Sequence, residues 1–198
     1  MFMKSFPFQT ACCKDQKSRE ELRATLNTGL FPVEVEIVER LAPLCAHYRY
    51  KRYKRYTKAV KEELRALGRS KGYLVYPEKV GESGELKYQW LFDLVWLEAK
   101  CEKDDFDWKT MRGVRLACES EWNDSDDSIL WDFLKLTIAV ADVRLFVYGM
   151  PKAKSKFDRT HPADLCKRVC PLSRGFRYLL IGFPYQAGEA FRVDAWTA

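Results

Sequence analysis

The chain has 198 residues, 47% hydrophobic and 31% charged, which suits one domain with a core of its own and excludes a fibrous or low-complexity composition. No run of about 18 apolar residues occurs, so no membrane-spanning helix is expected, and the start Met1-Phe2-Met3-Lys4-Ser5-Phe6-Pro7 lacks the apolar stretch of a signal peptide. The net charge is +6, and the seven cysteines are odd in number and scattered, which argues for reduced thiols in a cytoplasmic protein rather than a disulfide framework.

Residues 1–30 are mixed, with a short helix expected from Lys17 to Leu26. Phe31-Pro32 interrupts the chain, Val33 to Leu41 suggests a second helix, and Pro43 a kink or a new start. From Ala46 to Leu67 a helical stripe runs through Tyr53, Tyr56, Val60, Leu64 and Leu67, with Gly68 as its stop. The beginning of this segment carries Arg49, Lys51, Arg52, Lys54, Arg55 and Lys58 with no acid between them. Taking these six from the 34 basic residues leaves 28, equal to the 28 acids, so the whole net charge resides in one strip. A basic strip of that kind is the footprint of a polyanionic partner such as nucleic acid. Tyr53 and Tyr56 fall on the apolar face and read as core, whereas Tyr48 and Tyr50 are freer to stack.

Three strands are expected next, over Tyr73 to Tyr76, Leu86 to Leu97 and Gly113 to Glu121. Gly81-Glu82-Ser83-Gly84 supplies a hairpin turn, and residues 101–112 an exposed connection. Asn123 to Ser128 is rich in helix-capping side chains. The helix that follows, Ser128 to Val140, would bury Ile129, Phe133, Leu136 and Val140. A fourth strand, Val143 to Tyr148, ends at Gly149. Ala163 to Cys170 reads as a short helix, and Tyr178 to Phe183 with Phe191 to Trp196 as a final strand pair. No linker is evident. The organisation is a single domain, with an N-terminal extension (1–45), a core (46–150) and a C-terminal part (151–198). The fold class is α/β with a mixed sheet.

Two anomalies lie within apolar runs. In Leu116-Ala117-Cys118-Glu119-Ser120-Glu121-Trp122-Asn123, two acids stand one residue apart at a strand end and so share a face. Asp93 stands alone in Leu91-Phe92-Asp93-Leu94-Val95-Trp96-Leu97, a costly position unless it is paired or bound to metal. Three acids at neighbouring strand ends suggest a divalent-metal site for phosphodiester chemistry. The plainer alternative pairs Asp93 with Arg112 or Arg115 and leaves Glu119 and Glu121 solvated. Cys166 and Cys170 with His161 form no complete zinc spacing and fit one face of a helix, so zinc is disfavoured.

The order helix, three strands, helix, strand, with Asp93 in the second strand and Glu119-Ser120-Glu121-Trp122-Asn123 ending the third, resembles the PD-(D/E)XK nuclease superfamily. The likeness covers about half the chain. The strand end is similar to the E-x-E-W-N of some type II restriction endonucleases, and Phe133-Leu134-Lys135-Leu136 is similar to their F-x-x-L helix. The resemblance implies a restriction-endonuclease-like αβββαβ core and a Mg2+-dependent endonuclease, with Mn2+ as a substitute ion. It implies Asp93 as bridging metal ligand and Glu119 as the second acid. Glu121 stands where the wider superfamily has Lys, and Phe92 where it has Pro. Glu121 would hold metal through water or act as general base. Lys135 would replace the missing Lys, although helical projection sets it on the polar side beside Asp132. Some relatives recruit a helix acid, for which Glu63 is the candidate, since Glu62 faces away. Arg49, Lys51, Arg52, Lys54, Arg55 and Lys58 would grip the phosphate backbone, with DNA the expected substrate. The alternative on the same fold is an inactive nucleic-acid-binding or assembly module. A homodimer, or a partner protein docking on the six tryptophans, stays open.

Overall fold

The computed structural model describes residues 4–9, 16–45, 53–77, 91–99, 101–102, 105–106, 110–123, 125–150, 164, 166, 168, 175–185 and 190–198. The elements in chain order are β1 (Lys4–Gln9), α1 (Gln16–Leu26), α2 (Pro32–Cys45), α3 (Tyr53–Ser70), β2 (Leu74–Tyr76), β3 (Leu94–Glu98), β4 (Cys101–Glu102), β5 (Asp105–Phe106), β6 (Gly113–Glu121), α4 (Asp126–Ile138), β7 (Ala141–Gly149), β8 (Arg177–Phe183) and β9 (Ala190–Thr197). The protein is mixed α/β. Its main sheet has the order β1-β9-β8-β7-β6-β3-β2. β6, β7 and β8 run parallel to one another, and all other neighbours are antiparallel.

Alternation along the strands splits the core into two layers. Leu94, Trp96, Leu116, Cys118, Leu145, Leu179 and Ile181 are buried with α1, α2 and α3 on one face. Val95, Leu97, Ala117, Phe146, Leu180 and Trp196 are buried with Ile129, Phe133 and Leu136 of α4 on the other. The central strands are covered on both faces, so they read as nearly continuous apolar runs. Any acid near their ends therefore needs a specific reason to be there.

The local chemistry explains most boundaries. Ser125 caps α4, its Oγ accepting from the Ser128 amide at 3.3 Å, and Asp126 and Asp127 occupy the first turn where the helix dipole favours negative charge. Past the far end, buried Arg144 donates to the carbonyl of Ala139, the C-cap of α4, and to that of Ala141 at the start of β7. Tyr56, Val60, Leu64 and Leu67 bury the expected stripe of α3. The register Leu94↔Cys118 in β3–β6 and Glu119↔Phe146 in β6–β7 fixes the neighbours of each acid. No described helix is long and apolar enough to cross a membrane.

Several expectations are corrected. Gly68 does not end α3, which continues to Ser70. A Cβ on Gly68 would lie 2.6 Å from Nε1 of Trp96, so the glycine is there to let the indole approach and donate to the Leu64 carbonyl at 3.0 Å. The turn out of the helix falls at Gly72, whose φ of 78° suits glycine. Pro43 lies inside α2 without ending it. The described part of the second core strand begins at Leu94, with residues 91–93 in a bend. The connection at 101–112 contains the small β4–β5 ladder. Val140 is exposed beyond the end of α4 rather than buried on its inner face. β1, for which the sequence offered no pattern, pairs with β9 at the sheet edge. Of the expected helix at 163–170, residues 164, 166 and 168 are described and are helical.

Candidate functional site

Asp93 and Glu119 meet where β3 and β6 end, with Glu121 two residues further along β6. Asp93 sits in the bend before β3, and the register places it beside Glu119 and Ser120. Its Oδ2 accepts from the Ser120 amide at 3.0 Å and from Ser120 Oγ at 2.6 Å. Its Oδ1 accepts from Nζ of Lys61, on α3, at 2.8 Å. The cation that Asp93 requires is thus Lys61. Arg115 instead binds Glu98 and Asp142, and Arg112 lies 4.0 Å from Glu98.

Glu119 is 2% exposed. One carboxylate oxygen, Oε2, faces Nζ of Lys135 at 3.2 Å. The other, Oε1, is buried and has no hydrogen-bond partner among the described residues. Burial, followed by the charge of Asp93, pushes the Glu119 pKa up to about 8 against the opposing pull of Lys135. A buried carboxylate oxygen without a donor is costly, and a hard cation is one group that would satisfy it.

Glu121, two residues along β6, is half-buried. Its Oε1 accepts from the amides of Trp122 at 2.7 Å and Asn123 at 2.6 Å. Burial raises its pKa, the backbone amides oppose this, and a hydrogen bond with Asp132 adds to the rise. Lys135 reaches inward from α4 and also contacts Asp132 Oδ1 at 2.6 Å. Burial works against its charge, but Asp132 and Glu119 more than compensate and raise its pKa. The side chain set on the polar side by helical projection is therefore shared between two acids, because α4 packs with its flank along the end of β6.

The expected residues separate into those brought together and those not. Asp93, Glu119 and Lys135 lie together, and Glu121 is linked to them through Asp132. Glu63 does not join them: it faces Arg40 at 3.7 Å, in a groove that α1, α2 and α3 line with Glu20, Glu36 and Glu39. The inward contribution of α3 is Lys61 and Thr57, whose Oγ1 accepts from Nε1 of Trp122 at 2.7 Å. Lys61 and Asp132 were missed as site residues. The available signal was their place beside the buried stripes, Lys61 next to Val60 and Asp132 next to Phe133. Of the basic strip, Arg55 and Lys58 are exposed on α3, and Lys58 lies 3.9 Å from Glu62. Lys54 belongs to α3, whereas Arg49, Lys51 and Arg52 lie outside the described residues. Cys166 is buried, and Cys170 and His161 lie outside the described residues. Trp96, Trp122 and Trp196 are core, whereas Trp131 is 69% exposed.

Among the described residues no three His, Cys, Asp or Glu side chains are arranged as a ready metal cage. Lys61, Ser120, Lys135 and backbone amides occupy most of the carboxylate oxygens of Asp93, Glu119 and Glu121. Comparison with models of known protein families, with curated proteins and with solved structures finds no match.

Proposed function

We propose that this chain is a divalent-metal-dependent nuclease on a restriction-endonuclease-like core, hydrolysing phosphodiester bonds in DNA as a restriction or defence enzyme. The observation that carries the reading is Glu119: a buried carboxylate with one oxygen unpartnered, beside Asp93 and Lys135 at the ends of adjacent strands. The order α3-β2-β3-β6-α4-β7, with an antiparallel three-strand meander and a parallel fourth strand reached through α4, supports the same core.

The residues suit magnesium or manganese, which favour oxygen donors and are commonly held by one or two carboxylates. Asp93 and Glu119 would hold the ion, and Glu121 would hold it through water. When bound, the ion lowers the pKa of a nucleophilic water and offsets charge on the phosphate. Glu121, with its pKa raised by burial, is a stronger base than an ordinary carboxylate. Lys135, held by Asp132, supplies fixed positive charge beside Glu119 for the developing phosphate oxyanion. Arg55, Lys58 and the basic residues that precede them would bind the backbone without reading sequence.

Incubation with supercoiled plasmid in Mg2+ or Mn2+ tests the reading. Nicking should require the ion, stop with EDTA, and fall at least about a hundredfold in Glu119→Ala while DNA binding persists. Replacing Lys51, Arg52, Lys54 and Arg55 with Ala should weaken DNA binding and flatten its salt dependence by roughly one unit of slope for each phosphate no longer neutralised. Unchanged affinity would remove the strip from the interface. A second reading, an inactive binding or assembly module, is favoured by the lysines already seated on Asp93 and Glu119. Salt-sensitive DNA binding with no cleavage in either ion would select it.

A further inference from the structure

We propose that Lys61 is a built-in counter-cation that occupies Asp93 until a divalent ion displaces it, so that this lysine sets the metal affinity of the site. The inference rests on the nuclease reading. The oxygens of the three acids differ in how they are held. Asp93 Oδ2 accepts from two donors of Ser120, a contact that also orients the carboxylate relative to β6. Glu119 Oε2 is held by Lys135, and Glu121 Oε1 by two backbone amides. Glu119 Oε1 is open, and Asp93 Oδ1 is closed by a single, mobile kind of donor, an ammonium on a four-carbon stem. An ion drawn to Glu119 Oε1 gains Asp93 as a second ligand only if Lys61 leaves.

Distance leads to the same step. Lys61 Nζ lies 2.8 Å from Asp93 Oδ1, so an ion taking that oxygen with the ammonium in place meets its charge at close range, a repulsion that is strong where water is partly excluded. The Lys61 side chain is 15% exposed and that of Asp93 26%, so the pair is within reach of solvent. Lys135 is less free to move, since two carboxylates share it.

The test is titration with Mn2+ alone, followed by calorimetry, on the wild type, Lys61→Met and Lys61→Arg. Lys61→Met should bind Mn2+ at least about tenfold more tightly, and Lys61→Arg no more tightly than wild type. A second measurement needs no variant: the rate at which an amine-reactive acyl reagent labels Lys61, read by mass spectrometry. Labelling of Lys61 should rise severalfold at saturating Mn2+, whereas Lys71, paired with Glu36 at 2.8 Å on another part of the surface, should stay constant. Equal or weaker binding by a folded Lys61→Met, or unchanged labelling once the ion is bound, overturns the assignment and leaves the nuclease reading intact. Absence of Mn2+ binding by both wild type and Lys61→Met overturns the nuclease reading along with it.

Discussion

Two glutamates are buried among the described residues, and they are buried differently. Glu34, at the start of α2, is fully enclosed, and each oxygen is matched. Arg177 of β8 grips it through two bonds of 2.7 Å, the Phe31 amide adds a third at 2.8 Å, and the guanidinium lies 4.7 Å from the centre of the Phe31 ring. Glu119 has one lysine shared with another acid, an unpartnered oxygen, and a carboxylate neighbour. The first is a fork that ties α2 to the sheet. The second is electrostatically unfavourable as it stands, and such arrangements concentrate where a protein binds or reacts.

Substitutions can break that comparison. The largest effect should come from Arg177→Met, which leaves the Glu34 carboxylate buried without its cation. It should cost about 3–5 kcal/mol in urea unfolding. A loss below about 1 kcal/mol would make the two glutamates equivalent.

Glu119 should show itself through pH. Its folded pKa, about 8, lies above the ordinary carboxylate value of 4.5, so the folded state holds the proton more tightly than the unfolded one. Stability attributable to this group is therefore present below the ordinary value and declines as pH rises through the window between the two, levelling off above about 8. Glu119→Gln cannot lose a proton. The stability difference between the variant and the wild type should grow in the variant's favour by on the order of 2–4 kcal/mol from pH 5 to pH 8. A difference independent of pH would show that Glu119 is solvated or fully paired.

The smallest effect should be that of Lys135→Met. At pH 7 Glu119 can answer the loss of its cation by keeping its proton, so the cost should stay under about 1 kcal/mol. A loss as large as that of Arg177→Met would show that Lys135 is a structural partner and that the site resembles the Glu34 fork.

Some of this was legible in the chain. The strand Gly113–Glu121 has the limits its apolar run and acid pair suggested, and the Asn123–Ser128 segment does contain the cap of α4, at Ser125. Asp93 and Glu119 stood out as acids in apolar runs, whereas the contact of Lys135 with Glu119 did not follow from helical projection, which set that lysine on the polar side. Glu63 was not distinguishable from Lys61 by periodicity, because both flank the same buried stripe, and small rotations of α3 about its axis decide which flank meets the sheet. Gly68 read as a helix stop because a glycine's usual reason is conformational, whereas here it is the room left for Trp96.

The sequence by itself determined most of the inner elements and their polarity, though not β1 or the β4–β5 ladder: which face of each helix is apolar, where α4 is capped, and which strand ends carry acids. These follow from contacts within one or two turns or along one strand, which local residue order specifies. Tertiary structure alone decided who neutralises whom. Lys61 meets Asp93 across 32 residues, and Arg177 meets Glu34 across 143. Such pairs depend on how α3 and α2 settle on the sheet, and that is set by packing the whole buried surface at once.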